Sequence, residues 1–174
     1  SIESTEGFTL RLSAPGDTTG STVRFGSDAS VASTATSMDV AGTLYDADTA
    51  YSITPVSSSL AETGAGQSAT FSLNVVRSGY SGSGTVKWRV EGIGGNAADA
   101  SDFTGGVLPS GTLGFADGVT TGTITFSVRG DGSVEANETF RVVFYEETLN
   151  GPGVTRSLSQ NSSTLTITND DTGI

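Results

Sequence analysis

Two stretches near the start of the chain recur near its end, and this internal repetition constrains the fold more than any other sequence feature. SIESTEGFTLRL at residues 1–12 aligns with SVEANETFRVVF at 133–144, at an offset of 132. GTLYDADTA at 42–50 resembles LTITNDDTG at 165–173, at an offset of 123. The offsets differ because a longer polar segment, roughly Ser13–Ser37, separates the two stretches of the first copy. Self-similarity of this kind is the signature of a repeat architecture.

The repetition predicts three segments. Residues 1–50 are expected to be the last two strands of a preceding repeat, residues 51–171 one complete repeat, and residues 172–174 the start of a linker. The missing strands of the first copy lie upstream if the chain is a fragment, or in another chain if Ser1 is a processed terminus. Because Ser1 falls inside a repeated motif, the fragment interpretation is favoured.

Short segments of alternating apolar and polar residues indicate β-strands. In GTVKWRVEG, Val86, Trp88 and Val90 face one way and polar side chains face the other, as in a strand with one buried face. The same period of two occurs at Phe71, Leu73, Val75, Ile124, Phe126, Val128, Phe140, Val142, Phe144, Leu165 and Ile167. Tyr51–Val56 and Gly111–Phe115 are shorter candidates. We therefore predict an all-β, immunoglobulin-like antiparallel β-sandwich of about seven strands, within a tandem repeat array.

Composition excludes several classes of function. The chain contains no Cys and no His, which excludes disulfides, zinc-finger spacings and His-dependent catalytic triads. With 8 Lys plus Arg against 19 Asp plus Glu, the formal net charge is −11, and such a charge repels phosphate backbones and anionic lipid surfaces. We expect no nucleic-acid binding, no membrane insertion and no enzymatic activity. A disulfide-free, acidic chain rich in Ser and Thr is typical of a bacterial surface or secreted protein.

Acidic residues gather at strand ends and turns of the complete repeat rather than on the polar faces of its strands. In an antiparallel sandwich, segments separated by an even number of strands return to the same end, so these loops converge on one pole. Crowded carboxylates repel one another until a divalent ion lies between them. Calcium tolerates loop geometry, whereas magnesium demands a stricter octahedron, so calcium is the expected ion. For any single carboxylate, the alternative interpretation is a solvated surface charge.

Five segments of the complete repeat, taken in order, resemble those of one protein family. They are SLAETG, SDFTGG, GTLGFADG, GDGSVEANETF and TLTITNDD. The family is the Calx-β domain, a calcium-binding β-sandwich found in sodium–calcium exchangers and as tandem repeats in large bacterial surface proteins. The resemblance covers a complete domain at about residues 51–171 and a truncated copy at residues 1–50.

The resemblance implies a set of calcium ligands. In the complete repeat they are Glu62, Asp102, Asp131, Glu135, Asp170 and Asp171, with Glu138 as a further ligand. In the truncated copy the corresponding acids are Glu3, Glu6, Asp46 and Asp48. The chain has Gly130-Asp131-Gly132 and Asn169-Asp170-Asp171 where strongly binding members carry acidic triplets. The lower charge implies one or two ions rather than four, with an affinity on the order of 10⁻⁴ to 10⁻³ M.

The resemblance also implies a function. The favoured hypothesis is a non-catalytic structural module, a calcium-stiffened spacer in a repetitive extracellular adhesin, matrix or filament protein. The alternative is a module whose loops recognise a glycan or a protein partner, with calcium as a bridge. Neighbouring repeats of the same chain, or other copies of the protein, are the expected partners, and strand complementation is one way to join them.

Overall fold

The computed structural model describes residues 6–13, 24–25, 29–30, 37–44, 48–80, 82–151, 153–158 and 161–172. The chain divides into two compact units, Glu3–Asp46 and a second unit that contains Ala47–Ile174. This junction lies a few residues before the boundary at 50/51 that the sequence predicts. Within the described ranges, no helix is both long enough and apolar enough to cross a membrane.

The first unit contains a pair of long strands. β1 (Glu6–Ser13) pairs antiparallel with β4 (Ser37–Leu44). Two short strands, β2 (Arg24–Phe25) and β3 (Ala29–Ser30), lie between them in the chain and pair with each other. Both long strands lie in the two segments that the internal repetition predicts to be strands, whereas the short pair falls in the segment expected to be a polar loop.

The second unit is formed by two β-sheets. Its strands are β5 (Thr49–Pro55), β6 (Ser59–Ala61), β7 (Ser68–Gly79), β8 (Gly84–Gly92), β9 (Ser110–Phe115), β10 (Thr121–Arg129), β11 (Glu138–Leu149), β12 (Val154–Ser157) and β13 (Ser162–Thr168). One sheet has the order β10-β7-β5 and the other β6-β13-β11-β8-β9, with β12 also paired to β11. All of these pairs are antiparallel except β13 with β6. The predicted all-β sandwich is confirmed, and β6 and β12 are additional to the predicted strands.

Alternating side chains from both sheets form one core. The Phe140 ring centroid lies 5.3 Å from that of Phe71, 5.5 Å from Phe103 and 5.8 Å from Phe126, in the edge-on arrangement that aromatic pairs prefer. Trp88 packs beside Phe126 with a centroid distance of 6.0 Å. Every position predicted to face inward is buried, namely Phe71, Leu73, Val75, Val86, Trp88, Val90, Ile124, Phe126, Val128, Phe140, Val142, Phe144, Leu165 and Ile167.

Glu147, near the end of β11, is a buried carboxylate with a structural role. Its oxygens accept hydrogen bonds from Thr49 Oγ1 at 2.6 Å and Tyr51 OH at 2.8 Å, and it forms an ion pair with Arg156. Removing a carboxylate from water is costly unless it is paired and hydrogen-bonded. Burial and the hydrogen bond to Glu147 raise the pKa of Tyr51. The network therefore joins β5, β11 and β12 at the end of β11 away from Glu138.

Gly130 follows β10 at a point where two loops pass closely. A Cβ built at Gly130 meets the Thr63 carbonyl oxygen at 1.4 Å, and the Gly130 N–H donates to the Gln67 carbonyl at 3.0 Å. Because the backbone must shift to admit a methyl group, we expect Gly130→Ala to lower the free energy of unfolding by about 1–3 kcal/mol. A Cβ on Gly132 meets nothing within 4 Å, so Gly132→Ala is the matched control. Equal urea midpoints for the two variants would argue against the close approach.

Candidate metal centre

The acidic residues predicted as ligands lie at one pole of the sandwich, where β13 ends and β11 begins. Two groups of three carboxylates are found there, and within each group one oxygen from every member lies within 4.8 Å of the others. The first carboxylate group is Glu62, Asp170 and Asp171, and the second carboxylate group is Asp102, Glu135 and Glu138. The structure thus brings together all the predicted residues of the complete repeat except Asp131, and it divides them between two places.

A short pair of parallel strands positions the members of the first carboxylate group. Ala61 at the end of β6 pairs with Thr168 at the end of β13, and the Glu62 N–H donates to the Thr168 carbonyl at 3.0 Å. The Glu62 side chain is buried, with 7% of its surface exposed. Since Asp170 and Asp171 follow β13 after one intervening residue, Asn169, the parallel pairing places all three carboxylates at the same end of the sheet.

A tight turn in the β8–β9 loop presents Asp102. The turn is a 3₁₀-helix over Ala100–Asp102, capped by Asp99, whose side chain accepts a hydrogen bond from the Ser101 N–H at 2.7 Å. The Asp102 side chain in turn accepts from the Asp99 N–H, which completes a capping box. Phe103 is fully buried and anchors the turn in the core. Asp102 is therefore held in place by its own loop.

The same loop is attached to the start of β11. The Thr139 N–H donates to the Asn96 carbonyl at 2.9 Å, and the Thr139 carbonyl accepts from the Ala98 N–H at 3.1 Å. Both bonds are made by the backbone of Thr139, the residue after Glu138. They bring the loop that carries Asp102 against the residues that carry Glu138, which explains the second carboxylate group.

Two asparagine side chains connect the loop before β11 to the end of β13. Asn137 Oδ1 accepts a hydrogen bond from the Asn169 N–H at 3.1 Å, and Asn169 Oδ1 accepts from the Glu135 N–H at 3.2 Å. Asn169 Nδ2 also donates to the Asp171 carbonyl at 2.9 Å. These uncharged contacts position members of both carboxylate groups. This role is not evident from the sequence, because Asn in a turn is ordinarily a turn former.

The carboxylates of the pole oppose one another's ionisation. Burial, followed by the charges of Glu135 and Asp131, raises the pKa of Glu62. Burial, followed by the Asp131 charge, raises the pKa of Glu135. Burial and a hydrogen bond with Asp102 raise the pKa of Glu138 to about 8. Like charges in partly desolvated positions produce such shifts, so the pole carries more negative charge than its surroundings compensate.

Two acids outside the groups add to this charge. Asp131 raises the pKa of Glu62 in the first carboxylate group and of Glu135 in the second, so it lies near both. Its own Oδ1 accepts a hydrogen bond from the Ser133 N–H at 2.7 Å. Asp99, which is not among the predicted ligands, also raises the pKa of Glu135. The available signal was its place three residues before Asp102, the spacing of a capping box.

The acids predicted in the truncated copy do not form a comparable group among the described residues. Glu3 and Asp46 lie outside those residues. Glu6 is exposed at the start of β1. Asp48 is exposed just before β5, and its carbonyl accepts a hydrogen bond from the Tyr80 N–H at 3.2 Å. Asp48 therefore belongs to the second unit and not to the first.

The chemistry of the two groups fits calcium. Asp171 Oδ2 is buried and has no hydrogen-bond partner among the described residues, and the same is true of Thr63 Oγ1, next to Glu62. A buried polar atom without a partner costs free energy. All donors of the pole are oxygens, which calcium prefers, and the chain has no Cys or His to favour a softer metal. A cation held by Glu62, Asp170 and Asp171 would give Asp171 its missing partner.

We expect the calcium-depleted protein to lose stability as the pH rises from about 5 to about 8. The pKa of Glu138 is raised in the folded state, so the folded chain binds more protons than the unfolded chain in this window. Linkage then requires the free energy of unfolding to fall as the pH rises. The pKa values of Glu91 and Asp99 are lowered, so these groups titrate below the window.

Urea unfolding in calcium-depleted buffer across this pH range measures the effect. Saturating calcium should remove most of the pH dependence, because the ion replaces the proton as the compensating charge. Stability that increases with pH in calcium-depleted buffer would contradict the assignment.

Fold and site together define an all-β sandwich with an oxygen-lined acidic pole. The family model described as the Calx-beta domain matches residues 56–171. The chain therefore belongs to the Calx-β domain family, which is a family of calcium-binding domains, and the resemblance noted in the sequence is confirmed.

Solved structures with a similar fold include several Calx domains. The crystal structure of the apo-form Calx CBD1 domain is 20% identical, with 70% of this chain and 98% of that chain covered and a TM-score of 0.47. The Calx CBD2 domain is 19% identical, with coverages of 66% and 84% and a TM-score of 0.46. The calcium binding domain CBD12 of CALX1.1 is 25% identical, with coverages of 64% and 42% and a TM-score of 0.48. The comparison with curated proteins found no match.

Proposed function

We propose that the second unit binds two calcium ions at its acidic pole and serves as a non-catalytic structural repeat of an extracellular or cell-surface protein. The observation that carries the proposal is the presence of two separate groups of three carboxylates at one pole. Each group bears a formal charge that exceeds that of one divalent cation when it is fully ionised. Among the described residues, burial and neighbouring carboxylates raise the pKa values of Glu62, Glu135 and Glu138, which supports an excess of negative charge at the pole.

The residues that would hold the ions come from different loops. The first ion would be bound by Glu62 after β6 and by Asp170 and Asp171 after β13. The second would be bound by Asp102 in the β8–β9 loop and by Glu135 and Glu138 at the start of β11. Calcium supplies positive charge and additional coordination bonds at these points. Each ion would therefore cross-link segments that are otherwise joined by a few hydrogen bonds.

This cross-linking supports a mechanical role. Asp170 and Asp171 lie two and three residues after the end of β13, so an ion on the first carboxylate group would fix the direction in which the chain leaves the sandwich. A repeat whose exit direction is fixed suits a stiff spacer between neighbouring repeats. An extracellular or bacterial cell-surface location agrees with the absence of Cys and with the sequence pI of about 4.1. Calcium is also plentiful outside cells. Neighbouring repeats, or other copies of the protein, are the proposed partners.

Calorimetric titration of the full chain with calcium tests the proposal. We expect two bound ions for the unmodified chain and one for each of Asp170→Asn and Asp102→Asn, because each variant removes a charged ligand from a different group without changing its shape. Asp117 lies in the β9–β10 turn, two residues after Phe115. Phe115 pairs with Gly84, at the end of the sandwich opposite to Glu138. Asp117→Asn is therefore the matched control and should still bind two.

Equal losses of binding in all three variants would instead indicate a diffuse effect of surface charge. Retention of two ions by Asp170→Asn and Asp102→Asn would reject the assigned ligands. Calcium binding that becomes tight only in the presence of a glycan or protein partner would favour the recognition module over the spacer.

A further inference from the structure

The pairing of β1 with β4 reproduces the pairing of β11 with β13 residue for residue. Phe8 pairs with Gly42 in the first unit, and Phe140 pairs with Leu165 in the second. Adding 132 to the residue number in β1 and 123 to the residue number in β4 converts the Phe8–Gly42 pair into the Phe140–Leu165 pair. The same addition, applied to other pairs of β1 with β4, gives every other pair of β11 with β13. The strands of the first unit therefore resemble the last strands of the sandwich in sequence and also have the same pairing register.

The environments of the two strand pairs differ at one edge. β11 pairs with β13 on one side and with β8 on the other. β1 pairs with β4 alone, as far as the described residues show. Among the described strands, none pairs with the edge of β1 that corresponds to the β8 side of β11. Such an edge is a template for pairing with another strand.

The two strand pairs also differ in the burial of equivalent side chains. Phe140 and Val142 are both 0% exposed, whereas their equivalents Phe8 and Leu10 are 49% and 52% exposed. The Phe8 ring lies over Gly42, where an added Cβ would meet the Phe8 Cζ at 2.3 Å. The backbone of Gly42 therefore covers part of the ring. An isolated pair of strands cannot bury its apolar face by itself. The first unit therefore offers an apolar face together with an open edge.

The second unit shows what covers the equivalent face. Phe71 on β7 and Phe126 on β10 pack against Phe140, and β8 covers the edge of β11. In the chain itself these strands are already engaged, since β8 is flanked by β11 and β9 and the two phenylalanines pack on Phe140. Strands of the same kind, carried by another segment, would cover Phe8 in the way that these strands cover Phe140.

We propose that the β1–β4 pair is a docking face for a second set of strands equivalent to β5, β7, β8 and β10, carried by another polypeptide segment similar to residues 49–132. The β8 equivalent pairs with the open edge of β1, with the residue that matches Gly92 opposite Phe8, as Gly92 lies opposite Phe140. The β7 and β10 equivalents cover Phe8, Leu10 and Val40, the exposed apolar residues of the face. This inference rests on register and burial and does not depend on calcium binding.

A fusion tests the inference, with residues 49–132 placed directly before Ser1 of the full chain. The repeat defines the junction: because Ser1 matches Ser133, a segment that ends at residue 132 joins Ser1 in the register of the repeat. We expect hydrogen exchange of the amides in 6–13 and 37–44 to slow by about 100-fold or more relative to the unfused chain, because these strands become part of a cooperative core. The fusion should remain monomeric by sedimentation.

The control is the same fusion carrying Phe8→Asp and Leu10→Asp, which should restore fast exchange in 6–13 while the sandwich of the second unit keeps its protection. The inference is overturned if fusion leaves exchange in 6–13 unchanged. It is also overturned if the unfused monomer already protects 6–13 as strongly as the fusion does. Protection that appears only in a dimer of the unfused chain would identify a second copy as the occupant and would equally reject the proposed one.

Discussion

Saturating calcium is expected to raise the melting temperature of the second unit strongly. An ion that binds only the folded state adds RT ln(1 + [L]/Kd), roughly 2.7 kcal/mol per site at one hundred times Kd. If both carboxylate groups are filled, the free energy of unfolding should rise by roughly 5 kcal/mol. For a domain of this size, such a gain corresponds to an increase in Tm of roughly 15–20 °C. Scanning calorimetry of the full chain, with calcium and with excess chelator, measures it.

The matched variant is Asp170→Asn combined with Asp102→Asn, which removes one charged ligand from each group. Its Tm in chelator should equal or exceed that of the unmodified chain, because repulsion at the pole is reduced, and its response to calcium should be small. Magnesium should stabilise less than calcium, since it demands an octahedron that loop carboxylates do not readily form. A Tm that is identical in calcium and in chelator would refute calcium binding at the pole.

The second large effect concerns the core. Phe140→Ala is expected to lower the free energy of unfolding by about 3–5 kcal/mol, because this fully buried ring packs against Phe71, Phe103 and Phe126. Phe8→Ala is the matched control, since Phe8 occupies the equivalent place in the repeat and is 49% exposed. Its effect on the sandwich should stay below about 0.5 kcal/mol.

Fluorescence of the single tryptophan separates the two units in this experiment. Trp88 lies in the core of the sandwich beside Phe126, so its signal during urea unfolding reports on the second unit. If Phe8→Ala and Phe140→Ala shift the Trp88 transition equally, the two positions are packed alike and the difference in burial between the repeats is refuted.

The sequence predicted the long strands of the second unit because each of them has one buried face. The segment GTVKWRVEG coincides with β8 over Gly84–Gly92, since a period of two is visible only where one face is apolar and the other polar. β6 and β12 contain three and four residues, which is too short for a period to appear. β6 also depends on parallel pairing with β13, a contact between distant parts of the chain that no local pattern records.

The site was predictable in its residue types but not in its arrangement. Carboxylates at strand ends, together with the family resemblance, indicated which acids to consider. Their arrangement at the pole depends on hydrogen bonds that cross between loops, such as the one from the Glu135 N–H to Asn169 Oδ1. It also depends on the 3₁₀-turn that Asp99 caps before Asp102. Such contacts join residues far apart in sequence, so their partners become evident only in the folded chain.

The most direct test of calcium binding at the acidic pole is a crystal of the full chain grown in calcium, with diffraction data collected where calcium scatters anomalously. We expect two anomalous peaks, each within about 2.3–2.6 Å of carboxylate oxygens. One should be surrounded by Glu62, Asp170 and Asp171, and the other by Asp102, Glu135 and Glu138. A well-ordered pole with no anomalous peak at either group would contradict the assignment.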